Sequence, residues 1–307
     1  MNQKVLLIIN PCAGKMKSKS NLFNIVNCFC INNFDVTIYI TSKKGDAINY
    51  VKEHAGNHDR IVCCGGDGTL NEVINGLMLS NAKIPVGYIP TGTTNDFAAS
   101  INLPKNITRA SKIAALGQPR NYDLGFFNKK MYFSYIASFG AFTKASYNTD
   151  QSAKNVWGHA AYIFEGMQNI GDIKPYHIKI KTSNIEEEGD FIFGAITNTT
   201  SLGGILKLNT LDVLMDDGKF EVMLIKQPKT PLDLTNTIQN LLSQIYNNEN
   251  IIFIHTSKIT IYTDEPIPWT VDGEFAGNEE KVILENIHNG IQVILPDKSN
   301  STSDKKS

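Results

Sequence analysis

The chain has 307 residues, room for two domains at roughly 150 residues each, and its 42% hydrophobic content supplies a core for both. Basic and acidic groups number 29 and 30, a formal charge of −1, which excludes the basic excess of a dedicated nucleic-acid binder. No apolar run approaches the ~18 residues that cross a bilayer.

Residues 5–9 form a continuous apolar run, the mark of a strand covered on both faces, and Asn10-Pro11 ends it. Leu22, Ile25, Val26 and Phe29 then recur at helical spacing, and Val36, Ile38 and Ile40 alternate along a second strand over 35–41. Ala47, Ile48 and Val51 predict another helix. A strand at 61–64 precedes the amphipathic helix marked by Leu70, Val73, Ile74, Leu77 and Met78, and a further strand follows at 85–89. Strands alternating with helices imply a parallel sheet with helices packed on it.

From about residue 121 the rhythm changes to strand after strand: 176–181, 191–197, 219–225, 258–263 and 281–284. One helix is expected at 156–170 and another from Thr230-Pro231, where Thr suits the cap and Pro the first turn. The expected fold class is α/β: an open parallel α/β domain over 1–122, then a mostly antiparallel β-sandwich domain over 123–296, whose last strand can pack back on the first domain. Residues 297–307 are polar and read as a frayed tail. The five cysteines, Cys12, Cys28, Cys30, Cys63 and Cys64, are odd in number and form no C-x-x-C pair, so neither a disulfide framework nor a zinc set is expected. The apolar stretch near the N-terminus is too short for a signal peptide, and a cytoplasmic location is expected.

Chemistry concentrates in three glycine-rich turns. Gly65-Gly66-Asp67-Gly68-Thr69 follows a strand and opens a helix, where free N–H groups and the helix dipole favour a phosphate. It is neither the dinucleotide fingerprint nor a P-loop. Thr69 to Glu72 reads as a capping box, with Glu72 tied to the cap. A carboxylate facing phosphates needs a cation between them, which makes Asp67 a candidate for Mg²⁺. The second turn, 90–97, contains Thr93, Asn95 and Asp96; alone it reads equally well as a capped loop. The third is Asn10-Pro11-Cys12-Ala13-Gly14-Lys15. Turns at neighbouring strand ends of one sheet would share a crevice, the usual ligand site of an open α/β fold.

The string from Cys64 to Leu77, followed by Ile89 to Ala98, closely resembles the diacylglycerol kinase catalytic-domain family, in particular its bacterial soluble branch with relatives among sphingosine kinases. The order Asn10-Pro11-x-x-Gly14, Asp216-Asp217-Gly218 and Asp272-Gly273-Glu274 extends the resemblance along the chain. NAD kinases and phosphofructokinases share only the Gly-Gly-Asp-Gly core, and the first domain would resemble theirs.

The resemblance implies a kinase using ATP and Mg²⁺ on a membrane lipid, with diacylglycerol leading, reached by transient peripheral membrane contact. No nucleic-acid partner is implied, and a homodimer is left open. Asn10, Pro11, Cys12, Ala13 and Gly14, with Gly65, Gly66, Asp67, Gly68, Thr69, Leu70 and Asn71, match the ATP-binding loops, and Thr41 and Thr93 match further nucleotide contacts. Glu274 matches the general base, although by spacing alone residues 271–274 read as a β-hairpin turn. Asp67 and Asp96 match carboxylates associated with catalytic Mg²⁺, with Lys15 and Asp123 in a charged network that supports them. A structural Mg²⁺ would use the Asp217 side chain and the backbone carbonyls of Leu214 and Lys219, and Asp123 is counted with that metal set. The alternatives are a NAD kinase-like enzyme acting on a soluble molecule and a non-catalytic nucleotide- or lipid-binding regulator.

Overall fold

The computed structural model describes residues 2–14, 17–140, 174–199, 201–202, 206–207, 213–246 and 248–297. These divide into two compact units: one runs to Tyr122 and resumes at Asn289, the other is Asp123–His288.

In the first unit β1 (Gln3–Ile9), α1 (Lys17–Cys30), β2 (Phe34–Ile40), α2 (Asp46–His54), β3 (Arg60–Gly65), α3 (Asp67–Ser80) and β4 (Val86–Pro90) alternate, followed by the short α4 (Asp96–Ser100) and by α5 (Ile107–Leu116). β1 pairs in parallel with β2 and β3, and β3 with β4, so the strands lie in the order β2-β1-β3-β4. Val5 to Ile9 are buried, as a strand covered on both faces requires. Ile25 and Phe29 of α1 and Ala110 and Ala114 of α5 pack on one face, against Val5, Leu7, Ile9, Val62 and Ile89. Because the strands are parallel, their C-terminal ends, Ile9, Ile40, Cys64-Gly65 and Pro90, line up at one edge, and the three glycine-rich turns leave from it.

The chain enters the second unit along β5 (Gln118–Phe127). It continues through β6 (Met131–Phe133), β7 (Ile136–Gly140), β8 (Tyr176–Lys181), β9 (Glu186–Thr197), the short β10 (Ser201–Leu202) and β11 (Leu206–Lys207), and β12 (Phe220–Lys226). A helix, Pro231–Leu242, then precedes β13 (Ile251–Thr256), β14 (Lys258–Val271) and β15 (Glu274–Leu295). The registers within this unit are antiparallel. β7, β9, β8 and β14 each bond two others of the four, so part of the sheet closes on itself. Phe127, Phe133, Phe139, Phe191, Phe220 and Trp269 lie in the enclosed core. β14 and β15 are far longer than the expected segments 258–263 and 281–284. Pro266 and Pro268 interrupt the sequence pattern, but Pro266 falls in a register shift between Tyr262 and Ile267 and Pro268 pairs opposite Asn278 in the ladder. The far end of β15 lies in the first unit, where Val293 pairs in parallel with Val86 of β4. Thr230 caps its helix through a reciprocal bond pair with Asp233. The helix expected at 156–170 lies outside the described residues.

Candidate active site

Three turns at the C-terminal edge of the parallel sheet interlock. The Asn10 N–H donates to the Cys64 carbonyl at 3.0 Å, its side-chain amide donates to Thr69 Oγ1 at 3.0 Å, and its Oδ1 accepts the Cys12 N–H at 2.9 Å. One asparagine thus ties the first turn to β3 and to α3. Gly14 has φ +49°, and a Cβ there would overlap the Thr91 carbonyl oxygen. Gly92 and Gly66 meet backbone to backbone, where a Cβ on Gly92 would fall 2.6 Å from the Gly66 Cα. The Thr91 N–H donates to the Gly65 carbonyl at 2.9 Å. Ala13 and Thr69 are buried, whereas Cys12, Gly68 and Thr93 are exposed at the surface of this cluster.

The N-cap of α3 is Gly66, which has extended backbone and no side chain to cap the helix. The capping box expected from Thr69 and Glu72 is not formed, because the helix starts three residues earlier and Thr69 already lies in its first turn. Glu72 instead crosses to the neighbouring helix: Oε1 accepts the Gly45 N–H at 2.8 Å and Oε2 the Ala47 N–H at 3.3 Å. It closes the first turn of α2, whose own cap residue Gly45 supplies no side chain. Asp46 holds the same loop from the other side, accepting from the Ser42 N–H at 2.7 Å, the Ser42 hydroxyl at 2.6 Å and the Lys43 N–H at 3.0 Å. Those bonds, the Ser42 hydroxyl first, hold the Asp46 carboxyl below its ordinary range. Thr41, at the head of this loop, bonds the Ile9 carbonyl through its N–H (2.9 Å) and its hydroxyl (3.3 Å).

Asp67 reaches the second turn. Its Oδ2 accepts the Asp96 N–H at 3.0 Å and its Oδ1 the Phe97 N–H at 3.4 Å, so it caps α4 and draws Asp96 to it. Carboxylate oxygens are the ligand type that suits Mg²⁺. Asn95 sits at φ 56°, donating to the Gly92 carbonyl (2.9 Å) and accepting from the Tyr88 hydroxyl (3.3 Å). Burial first, then the nearby Asp67 carboxylate, keeps the Tyr88 phenol protonated well above its ordinary range. Leu70 donates to the Gly66 carbonyl, and Asn71 accepts the Asn75 amide within α3. Lys15 lies outside the described residues.

In the second unit, Glu274 opens β15 directly after a two-residue hairpin turn and is exposed. Val271 pairs with Glu274 across the hairpin, and Asp272 and Gly273 have φ 47° and 82°, as the tightest hairpin turn requires. The hairpin suggested by spacing and the glutamate suggested by resemblance thus coexist.

Asp123 is fully buried: its Oδ2 accepts the Gly218 N–H at 2.6 Å, its Oδ1 faces His288 Nδ1 at 3.0 Å, and its own N–H donates to the Met215 carbonyl. Asp217 accepts the Lys219 N–H at 2.9 Å, and Leu214, Asp217 and Lys219 are exposed on this loop. Among the described residues no three His, Cys, Asp or Glu side chains are grouped to hold a metal. One carboxylate plus backbone carbonyls open to water is nonetheless a donor set that fits Mg²⁺, which retains waters.

Residues 4–127 match the family described as the diacylglycerol kinase catalytic domain. The diacylglycerol kinase of Bacillus subtilis (strain 168) is 29% identical over 296 residues, 96% of this chain and 97% of that protein. The diacylglycerol kinase of Staphylococcus carnosus (strain TM300) is 29% identical over 299 residues, 96% of each chain. A crystal structure assigned to the diacylglycerol kinases, from Bacillus anthracis str. Sterne, superposes with a TM-score of 0.82 at 27% identity, covering 97% of this chain and 96% of that one. Residues 4–127 thus match the diacylglycerol kinase catalytic domain, and over nearly its full length the chain is similar in sequence and fold to bacterial diacylglycerol kinases.

Proposed function

We propose that the protein is an ATP- and Mg²⁺-dependent lipid kinase that transfers the γ-phosphoryl group of ATP to the hydroxyl of a membrane lipid, diacylglycerol foremost, giving phosphatidic acid and ADP. The observation that carries this reading is the uncapped N-terminus of α3 set among two glycine turns packed backbone to backbone, a cradle suited to phosphates. Residues 1–122 would bind the nucleotide through Asn10 to Gly14, Gly65 to Asn71, Thr41 and Thr93, and 123–296 would receive the lipid. Glu274 takes the proton of the lipid hydroxyl as its oxygen bonds to the γ-phosphorus and the bond to the ADP oxygen breaks. Mg²⁺, when bound, neutralises charge on the phosphates; Asp67 and Asp96 would hold it, with Asp217, Asp123 and the carbonyls of Leu214 and Lys219 serving a second, structural ion. Among the described residues no helix is long and apolar enough to cross a membrane, so the lipid would be met by transient contact at the surface.

The test is transfer of γ-labelled phosphate from ATP with Mg²⁺ to a panel of lipids in mixed micelles, with NAD as the soluble control and Glu274→Ala as the blank. Labelled diacylglycerol, absent from the blank, is expected. Label on NAD, or undiminished turnover by Glu274→Ala, would overturn the reading.

A further inference from the structure

The turn that carries Glu274 is pinned by the side chain of Asp272. Asp272 is 5% exposed, and its carboxylate accepts four hydrogen bonds. Oδ2 takes the Ser134 N–H at 2.8 Å and the Ser134 hydroxyl at 3.0 Å, while Oδ1 takes the Tyr135 N–H at 3.0 Å and the Ile136 N–H at 3.1 Å. Its own N–H donates back to the Ile136 carbonyl at 2.8 Å. The cradle is itself fixed, since the Tyr135 carbonyl accepts the Thr197 hydroxyl at 2.6 Å and the Asn198 N–H at 3.1 Å.

Turn geometry alone does not call for an aspartate here. Asn or Gly adopts positive φ in a two-residue hairpin at least as readily. What only a carboxylate supplies is two acceptor oxygens for four converging donors; the amide of Asn would set its own N–H groups against two of them. Glu274 is the second residue after Asp272, and its backbone is locked by pairing with Val271, so its position is defined through this anchor.

We propose that Asp272 is a positioning residue for phosphoryl transfer, holding the Glu274 hairpin against the 134–136 donor cradle so that the base is aimed at the lipid hydroxyl. The inference rests on Glu274 being the general base. It assigns Ser134, whose hydroxyl is one of the four donors, a share in the same task.

The experiment measures kcat and the KM for ATP, with thermal unfolding alongside, for Asp272→Asn, Ser134→Ala, Glu274→Ala and a control, Ser138→Ala. Ser138 bonds the Thr270 hydroxyl at 2.7 Å between β7 and β14 and is not one of the four donors to Asp272. Asp272→Asn is expected to lower kcat about 100-fold, in line with misplacement of a catalytic group, at unchanged KM for ATP. Ser134→Ala, which deletes one hydroxyl and no backbone donor, should lower kcat about fivefold with its melting temperature close to that of the parent. Ser138→Ala should leave kcat unchanged. If Asp272→Asn fails to fold, Ser134→Ala decides: a parental kcat, or an equal fall in Ser138→Ala, overturns the proposal. Turnover surviving in Glu274→Ala is a separate failure, because it removes the base itself.

Discussion

Two of the buried carboxylates in the antiparallel unit are in opposite circumstances. Asp272, at the hairpin tip, is met by four donors, whereas Glu221, in β12, is 1% exposed and neither of its oxygens has a hydrogen-bond partner among the described residues. Glu221 lies opposite Thr197 on β9 and His255 on β13, with His255 Nε2 at 4.0 Å. Burial, reinforced by the Asp217 and Asp123 carboxylates, pushes the Glu221 pKa up from 4.5 to about 8. The pair teaches that burial alone does not decide whether a carboxylate works as an anchor; the donors that converge on it do. A partnered carboxylate ties distant segments together, and an unpartnered one makes the same unit sensitive to pH.

The sharpest way to break the comparison is to remove each group. Asp272→Ala strands four donors and is expected to cost roughly 5 kcal/mol of unfolding free energy, read by chemical denaturation. A loss near 1 kcal/mol would show that the cradle holds without its anion.

Glu221 should behave in the opposite sense. Its folded-state pKa lies above the unfolded one, so its favourable contribution is complete below about pH 4.5 and is lost as pH rises through about 8. In chelator, the parent should therefore lose stability between pH 5 and 9, and Glu221→Gln should flatten that profile by about 3 kcal/mol, at about 1.4 kcal/mol per pKa unit after allowance for relaxation. Parallel profiles for the two proteins would show that Glu221 is not the titrating group.

A smaller effect tests whether partnered carboxylates also anchor the first unit. Glu72→Gln keeps one acceptor of two at the α2 terminus, so a loss of about 1 kcal/mol and a severalfold rise in the KM for ATP are expected, with the KM for lipid unchanged. An unchanged KM for ATP would detach the Thr41–Gly45 loop from nucleotide binding.

Much of the first unit could be read from sequence because its signals are local. The apolar run at 5–9 and the 22-25-26-29 spacing each lie within one element, and the glycine turns stand next to the strands they follow. The clamps were not legible, since each joins positions far apart: Glu72 to Gly45, Asp67 to Asp96, Asp272 to Ser134. Thr69 to Glu72 satisfied a four-residue capping pattern, yet the real partner of Glu72 lies 27 residues upstream. α5 went unrecognised because its buried positions, Ala110, Ser111, Ala114 and Ala115, are small and give little hydrophobic contrast. In the second unit, Glu274 stood out through a three-residue motif, while the task of its neighbour Asp272 became visible only once residues 134–136 were placed beside it.

The distribution of thiols across the first unit offers a practical handle. Burial raises the Cys63 thiol well above its ordinary range and the Cys64 thiol to about 12, which makes both poor targets for alkylation. Cys12 is exposed in the turn beside Gly14, and Cys30 is exposed at the end of α1, where Cys28 is half-buried. Replacing Cys28 and Cys30 by serine would leave Cys12 as the one accessible thiol among the described residues. A small environment-sensitive fluorophore attached there would sit at the rim of the glycine turns, so a signal change on adding ATP without lipid would test the proposed nucleotide site directly.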